Sequence, residues 1–316
     1  MNKKKIAVVA LGGNALLRAS ETGTIEQQER NSYETLAKLL ELIRSGYDLV
    51  ITHGNGPQVG NIMLRVEAGF EKYKIPKMPL DICVADSQGG IGYMLERQMR
   101  NVFNDFKIEK NVVSLITQVL VDINDPAFKN PTKPVGTFYI KEEADLLAKA
   151  NDWKFKEDSA KRGWRRVVAS PVPQDIMNKQ IIEELVLNGH VVIAAGGGGV
   201  PIYRHENNYL EAIEAVIDKD RASSLLAEQI GAEVLFIITD VPKVCINYGK
   251  PNEKSLDVIT VTEAEKFIDE NQFADGSMKP KVLAAINFIK NGGAKAVITS
   301  EEEIGKENGG TQIISG

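Results

Sequence analysis

Residues 48 to 61 read DLVITHGNGPQVGN, and this one stretch carries a strand, a turn and the start of a helix. The apolar, β-branched run ending at His53 suits a strand covered on both faces. Gly54, Asn55 and Gly56 break the pattern, and Pro57 falls in the first turn of a helix. Its buried stripe is expected to be Val59, Ile62, Met63 and Val66, with Asn55 as the cap and Gly69 as the stop. A strand feeding a glycine turn and then a helix N-terminus aims backbone N–H groups at one point, which makes an anion site.

The same punctuation recurs at ALGGNA (10 to 15), AAGGGGVP (194 to 201) and GSMKPK (276 to 281). Apolar runs stand at 6 to 11, 112 to 117, 191 to 195, 234 to 239 and 295 to 299, and helical stripes lie between them. Tyr33, Leu36, Leu39, Leu40 and Ile43 form one stripe, closed by Gly46; Ile91, Met94, Leu95, Gln98 and Val102 form another behind Asp86 and Ser87. The alternation spells βαβ units and an α/β fold with a mainly parallel sheet. Residues 120 to about 170, with Pro126, Pro131 and Pro134 and weaker periodicity, are expected to form a small excursion or flap inserted into the sheet topology. A softer boundary near residue 230 divides the chain into an expected lobe of 1 to 230 and a second of 231 to 316.

Several chemistries are excluded. The two Gly-Lys pairs, at Gly249 and Gly305, are followed by Pro251 and Glu307, so there is no P-loop. Gly54, Gly56 and Gly60 stand one residue too far apart for the dinucleotide fingerprint. His53, His190 and His205 have no metal-ligand spacing, and no G-x-S-x-G occurs. A net charge of −5 with both signs scattered gives no basic stripe for nucleic acid and no polybasic segment for a membrane. The apolar run after the N-terminal lysines, Ile6 to Leu11, is too short for a signal peptide or a membrane span, which points to the cytoplasm. Cys83 and Cys245 sit among apolar neighbours and are expected to be buried, unreactive thiols.

Two lysine arrangements could carry chemistry. Lys279 and Lys281 flank Pro280 at the start of a helix, where a cation opposes the macrodipole by roughly 0.3–1 kcal/mol and a bound anion would reverse the sign. Both could equally be solvated. Asp218 and Asp220 bracket Lys219 before another helix, which suits a point-charge contact to a phosphoryl group; an ordinary surface ion pair is the alternative. Gly196 to Gly199 lose much conformational entropy and supply no side-chain packing, so close approach to a ligand is the expected reason for the run.

Taken in order, ALGGNA, HGNGPQVGN, MPLDICVADSQGGIGY (78 to 93), TQVLVD (117 to 122), NPTKPVG (130 to 136), RGWRRVV (162 to 168), GGGGVP, EAVIDKD (214 to 220), CINYGKP (245 to 251) and GSMKPK resemble the amino-acid kinase superfamily and, within it, the carbamate kinases. The resemblance covers nearly the whole chain. It implies a three-layer αβα sandwich with a small protruding subdomain, a homodimer, and transfer of phosphate between ATP and carbamate to give carbamoyl phosphate and ADP, with Mg²⁺, often to make ATP at the end of arginine fermentation. Carried over by position, Gly12, Gly13, Asn14, Gly54, Asn55, Gly56, Gly197 and Gly198 would hold carbamate and the phosphoryl group. Lys133 on the flap would reach into the site, Lys219 and Lys281 would stabilise the bridging charge, and Asp220 would orient those lysines. Thr239, Asp240, Tyr248, Met278 and Lys281 would lie on the nucleotide side. Magnesium would be held mainly by phosphates and water, with no metal residue assigned.

Three departures stand out. Many relatives acting on amino-acid carboxylates have a lysine two residues before the first Gly-Gly, where this chain has Ala10, and that favours carbamate. DSAKRGWRRVV is one residue longer than the usual acidic-glycine-arginine run, and Ser87 stands where threonine is often found. The alternatives are a kinase of the same fold acting on another small carboxylate, such as acetylglutamate or aspartate, and a catalytically silent binding protein.

Overall fold

Alternate residues of the first strand, Lys5–Leu11, go to opposite cores: Ile6 and Val8 to one, Ala7, Val9 and Leu11 to the other. A strand buried on both faces has to be apolar throughout, which is why these runs show no polar alternation. The computed structural model describes residues 5–18, 21–151, 153–158, 161–306 and 308–316. Its main sheet has eight strands, in the order Val258–Thr260, Thr311–Ile314, Lys295–Ser300, Val234–Thr239, Lys5–Leu11, Tyr47–His53, Val191–Ile193 and Val112–Ser114. Every neighbouring pair is parallel except Lys295–Ser300 with Thr311–Ile314.

Helices cover both faces. Lys179–Leu187, Lys219–Gln229, Val261–Asp269 and Met278–Lys290 pack on the Ile6 side, and Ile25–Lys38, Leu40–Arg44 and Leu80–Asp105 pack on the Ala7 side. This is the expected three-layer αβα sandwich. The first strand is flanked by Tyr47–His53 on one side and Val234–Thr239 on the other, so the order of connection reverses there. That reversal opens a crevice at the carboxyl ends of the strands, where open α/β sheets bind ligands. Gly12 and Gly13, Gly54 and Asp240 all follow those strand ends. The sheet runs without a break across residue 230.

Beside it stands a second sheet of Leu210–Ala212, Val200–Arg204, Gln118–Val121 and Pro173–Ile176. The flap begins later than residue 120, because Gln118–Val121 belongs to that second sheet. It consists of three antiparallel strands, Lys133–Tyr139, Trp164–Val168 and Lys154–Glu157, with the helix Lys141–Asn151.

Several boundaries differ from the sequence reading; the helix read as lying behind Asp86 and Ser87, for one, already starts at Leu80. The run at 112 to 117 stops being a strand at Ser114, and that at 191 to 195 stops at Ile193 because Ala195 turns into the left-handed region, φ 49°, to enter the glycines. The helix expected to stop at Gly69 continues to Tyr73 and ends on Lys74 in the left-handed conformation. A lone glycine costs a helix only about 1 kcal/mol, and packing of the Val59 face overrides it. Cys83 is buried and burial pushes its thiol pKa up, but Cys245 is only half-buried, with Sγ 3.4 Å from the Ser255 hydroxyl. It sits on a short two-stranded hairpin rather than in a core layer. Among the described residues no helix is long and apolar enough to cross a membrane.

Candidate active site

The D-K-D segment starts the helix Lys219–Gln229. Asp218 is its N-cap, with Oδ1 accepting from the backbone N–H groups of Asp220 and Arg221 at 3.0 and 3.3 Å. Its Oδ2 accepts from Lys133 Nζ at 2.9 Å. Asp220 accepts from Lys219 Nζ at 2.7 Å on Oδ1 and from Lys281 Nζ at 3.0 Å on Oδ2. Three lysines from three separate elements thus converge on two carboxylates two positions apart in the chain. Three positive and two negative charges leave the cluster one positive charge in excess, which suits an anionic ligand.

Burial on its own would raise the Asp220 pKa, but the charges of Lys219 and Lys281 and their hydrogen bonds outweigh it and hold the carboxyl far below the usual range. Burial lowers the pKa of Lys219, against the pull of Asp220. Burial is likewise outweighed at Asp218, where Lys133 keeps the carboxylate ionised. Lys279 takes the bland role: it pairs with the exposed Asp275 at 2.7 Å and leaves Lys281 alone to face Asp220.

A cavity of about 280 Å³ lies against Lys133 and Lys219 and is lined by Gly13, Gly54, Asn55, Gly56, Gln58 and Gly197, with Val216 and Ile217 as an apolar wall. The glycines do different jobs. A Cβ on Gly13 or Gly56 would meet nothing within 4 Å, so those two leave space for a ligand. Lys219 runs across Gly54, 3.6 Å from where its Cβ would be, and on Gly12 a Cβ would lie 2.8 Å from the Ile238 carbonyl of the neighbouring strand.

The run Gly196 to Gly199 is crowded by protein atoms. Added Cβ atoms would lie 2.4 Å from His53 Nε2, 2.2 Å from the Asn55 amide nitrogen, 2.4 Å from the Ile217 carbonyl and 2.2 Å from Val119 Cγ2, in that order. Gly197 alone of the four lines the cavity, while Gly198 is packed under Ile217.

Asn55 sits at the N-cap position of the helix Gly56–Tyr73 but makes no side-chain cap. Its Nδ2 donates instead to Ser87 Oγ at 2.8 Å, and Ser87 donates to the Val84 carbonyl at 2.6 Å. The amide is therefore fixed in the floor of the cavity. His53 is 1% exposed, pairs through Nδ1 with the Gly54 carbonyl at 2.9 Å, and has its pKa lowered to about 4 by burial. It is a neutral strut behind the glycine turn.

On the other side of the crevice Thr239 and Asp240 line a larger cavity, about 490 Å³, together with Gly12, Arg18 and the acidic run Glu301 to Glu303. None of the three lysines of the cluster lines it, whereas Lys133 and Lys219 line the smaller cavity and Lys281 lines neither. Met278 opens the helix that carries Lys281, and Tyr248 is 71% exposed on the loop beyond Cys245–Ile246; neither lines either cavity. The side chain of Asn14 lies outside the described residues. Ser87, Gln58 and the Val216–Ile217 wall join the site from structure alone. The D-K-D pattern signalled Asp218, whereas nothing local in the sequence announces that Ser87 meets Asn55.

Among the described residues no group of three or more His, Cys, Asp or Glu side chains could hold a metal ion. Asp218 and Asp220 are committed to lysines. This donor set fits a magnesium ion that travels with a nucleotide on phosphate and water oxygens, rather than one caged by carboxylates.

The model of the amino acid kinase family matches residues 5–300. The carbamate kinase of Pyrococcus horikoshii is 50% identical over 296 residues, 94% of each chain, and a carbamate kinase-like protein of Escherichia coli is 44% identical over 95% of this chain and 94% of its own. Among solved structures, the carbamate kinase of Giardia lamblia bound to AMP-PNP superposes with a TM-score of 0.92 at 44% identity, covering the whole of both chains. The fold and these likenesses agree: the chain belongs to the amino acid kinase family and, within it, to the carbamate kinases.

Proposed function

We propose that the lysine cluster and the glycine-lined cavity together carry out reversible phosphoryl transfer between ATP and carbamate, giving ADP and carbamoyl phosphate. The observation that carries this reading is Asp220 holding Lys219 and Lys281 as a pair beside the cavity. A carbamate oxygen is already a nucleophile, so no strong general base is required; the task is to bring two anions together in line and neutralise the charge between them. In the forward direction the bond from that oxygen to the γ-phosphorus forms as the bond to the ADP oxygen breaks.

Gly12, Gly13, Asn14, Gly54, Asn55 and Gly56 would hold carbamate and the phosphoryl group, with Gly197 keeping the Asn55 amide in place and Gly198 supporting the wall at Ile217. Lys133, Lys219 and Lys281 would meet the charge on the bridging and equatorial oxygens, preorganised by Asp218 and Asp220. Thr239, Asp240, Tyr248, Met278 and Lys281 would face the nucleotide. Bound Mg²⁺ supplies charge neutralisation between the phosphates. In this reading residues 1–230 serve carbamate and 231–316 the nucleotide, and the enzyme works as a cytoplasmic homodimer making ATP in arginine catabolism.

The test is ATP formation from ADP, Mg²⁺ and carbamoyl phosphate, with acetyl phosphate as a second donor and acetylglutamate and aspartate as forward acceptors. Turnover with carbamoyl phosphate supports the reading; turnover with a dicarboxylate alone moves the substrate, and none with any of them removes the activity.

A further inference from the structure

The flap is tied to the rest of the chain by two ion pairs that end on a single five-residue stretch, Glu214 to Asp218. Lys133 reaches Asp218 at 2.9 Å, and Arg166 reaches Glu214. In the antiparallel pairing of Lys133–Tyr139 with Trp164–Val168, Lys133 faces Val168 and Val135 faces Arg166, so the two cations stand two rungs apart on neighbouring strands. The same stretch is stitched to the end of the flap by a bridge between Ala169 and Ala215, with Val216 N–H donating to the Ala169 carbonyl at 3.0 Å.

Arg166 is built into the flap as surface arginines are not. It is 6% exposed, and its guanidinium carbon lies 3.9 Å from the centre of the Trp153 ring, while Glu214 meets it from the solvent side. Burial lowers its pKa, to about 10, and it stays charged at neutral pH. A gap of about 120 Å³ borders the clamp, between Arg166 and Trp153 on the flap and Met63, Glu67 and Cys83 on the helices Gly56–Tyr73 and Leu80–Asp105. Apolar packing is therefore incomplete at this edge; beside the apolar contacts that Val135 and Val168 make with Val59, Leu80 and Val84, the ion pair to Glu214 ties the flap here, and the Trp153 ring, itself on the flap, fixes the guanidinium.

We propose that Arg166, clamped between Glu214 and Trp153, is a positioning residue for phosphoryl transfer: it fixes the flap's strand pair so that Lys133 is delivered to the glycine-lined cavity. The inference rests on the reading of Lys133 as a substrate contact. Lys133 has a flexible four-carbon stem, and where its ammonium can reach depends on where its strand is held. An ångström of misplacement costs up to about a hundredfold in rate.

A double-mutant cycle in the full-length enzyme tests this, using ATP formation from ADP and carbamoyl phosphate, with thermal unfolding as the control for folding. Arg166→Gln is expected to lower kcat/KM about tenfold, mostly through kcat, and Glu214→Gln to lower it in the same direction by less. In a Lys133→Met background each should cost less than about twofold, because the residue they position is gone. Equal losses with and without Lys133 would make the clamp merely structural and overturn the inference, as would a folded Arg166→Gln enzyme of full activity. A harmless Lys133→Met would sink the reading of Lys133 and the inference with it. Should Arg166→Gln fail to fold, the Glu214→Gln cycle decides by the same criterion, since Glu214 is exposed and its loss leaves the core intact.

Discussion

Asp220 accepts Lys219 on one carboxylate oxygen at 2.7 Å and Lys281 on the other at 3.0 Å, and its own residue is only 4% exposed. The two ammonium groups would otherwise repel each other in a poorly solvated place, so one carboxylate between them offsets that repulsion and aims both. Taking one partner out of a buried ionic cluster leaves uncompensated charge behind. Asp220→Asn should therefore lose about 3 kcal/mol of stability or more in urea unfolding, together with most of the activity. An Asp220→Asn enzyme as stable as the parent would mean that the lysines relax into solvent and that the cluster is not held by Asp220.

Lys281 is expected to matter most when charge moves between the phosphates, because its ammonium is already in place and needs no reorganisation. Lys281→Met should lower kcat by about a hundredfold or more while ADP affinity, read by calorimetry, changes by only a few-fold. A large loss of affinity with kcat unchanged would assign Lys281 to ground-state binding instead.

Glycines at the site divide by what surrounds them, and alanine substitution should expose the division. Gly13→Ala puts a methyl group into open space in the cavity, so thermal unfolding should stay within about a degree or two while KM for carbamoyl phosphate rises. Gly197→Ala places Cβ 2.2 Å from the Asn55 amide at a φ of 65°, a conformation that disfavours side chains, and should cost on the order of 2–4 kcal/mol of stability. The opposite ranking would mean that Gly13 is a packing glycine and Gly197 a ligand contact.

Fold class was readable in the sequence because strands buried on both faces are continuous apolar runs, and runs such as 234 to 239 kept both boundaries in the structure. The cluster at Lys219, Asp220 and Lys281 was reachable only by resemblance, since no spacing rule links the segment at 218 to 220 with that at 276 to 281. The glycine run at 196 to 199 was legible as a demand for close approach, but not for whose atoms; the answer depends on His53, Asn55, Ile217 and Val119, which only the fold assembles. Helix boundaries failed where tertiary packing overrode propensity, as at Gly69, and Cys245 was misplaced because apolar neighbours in sequence do not make a core layer of a short hairpin.

Stability should also depend on pH through His53, and the direction is fixed by its environment. Burial lowers its folded-state pKa to about 4, whereas an unfolded chain has a histidine pKa of about 6.5. Between those two values the unfolded state binds the extra proton, so the contribution is fully present above about pH 6.5 and is lost as pH falls toward about 4. From about pH 7.5 to about pH 5 the loss is about 2 kcal/mol for this one group. Asp220 does not share that window: its depressed carboxyl pKa keeps its contribution intact above the ordinary carboxylate value and releases it only in stronger acid. Urea unfolding at those two pH values should show the drop in the parent and a much smaller one in His53→Asn, which keeps a donor near Nδ1 for the Gly54 carbonyl and cannot take up the proton. If both proteins lose the same stability over that interval, the proton is going elsewhere and His53 is not the group that sets the acid side of the stability profile.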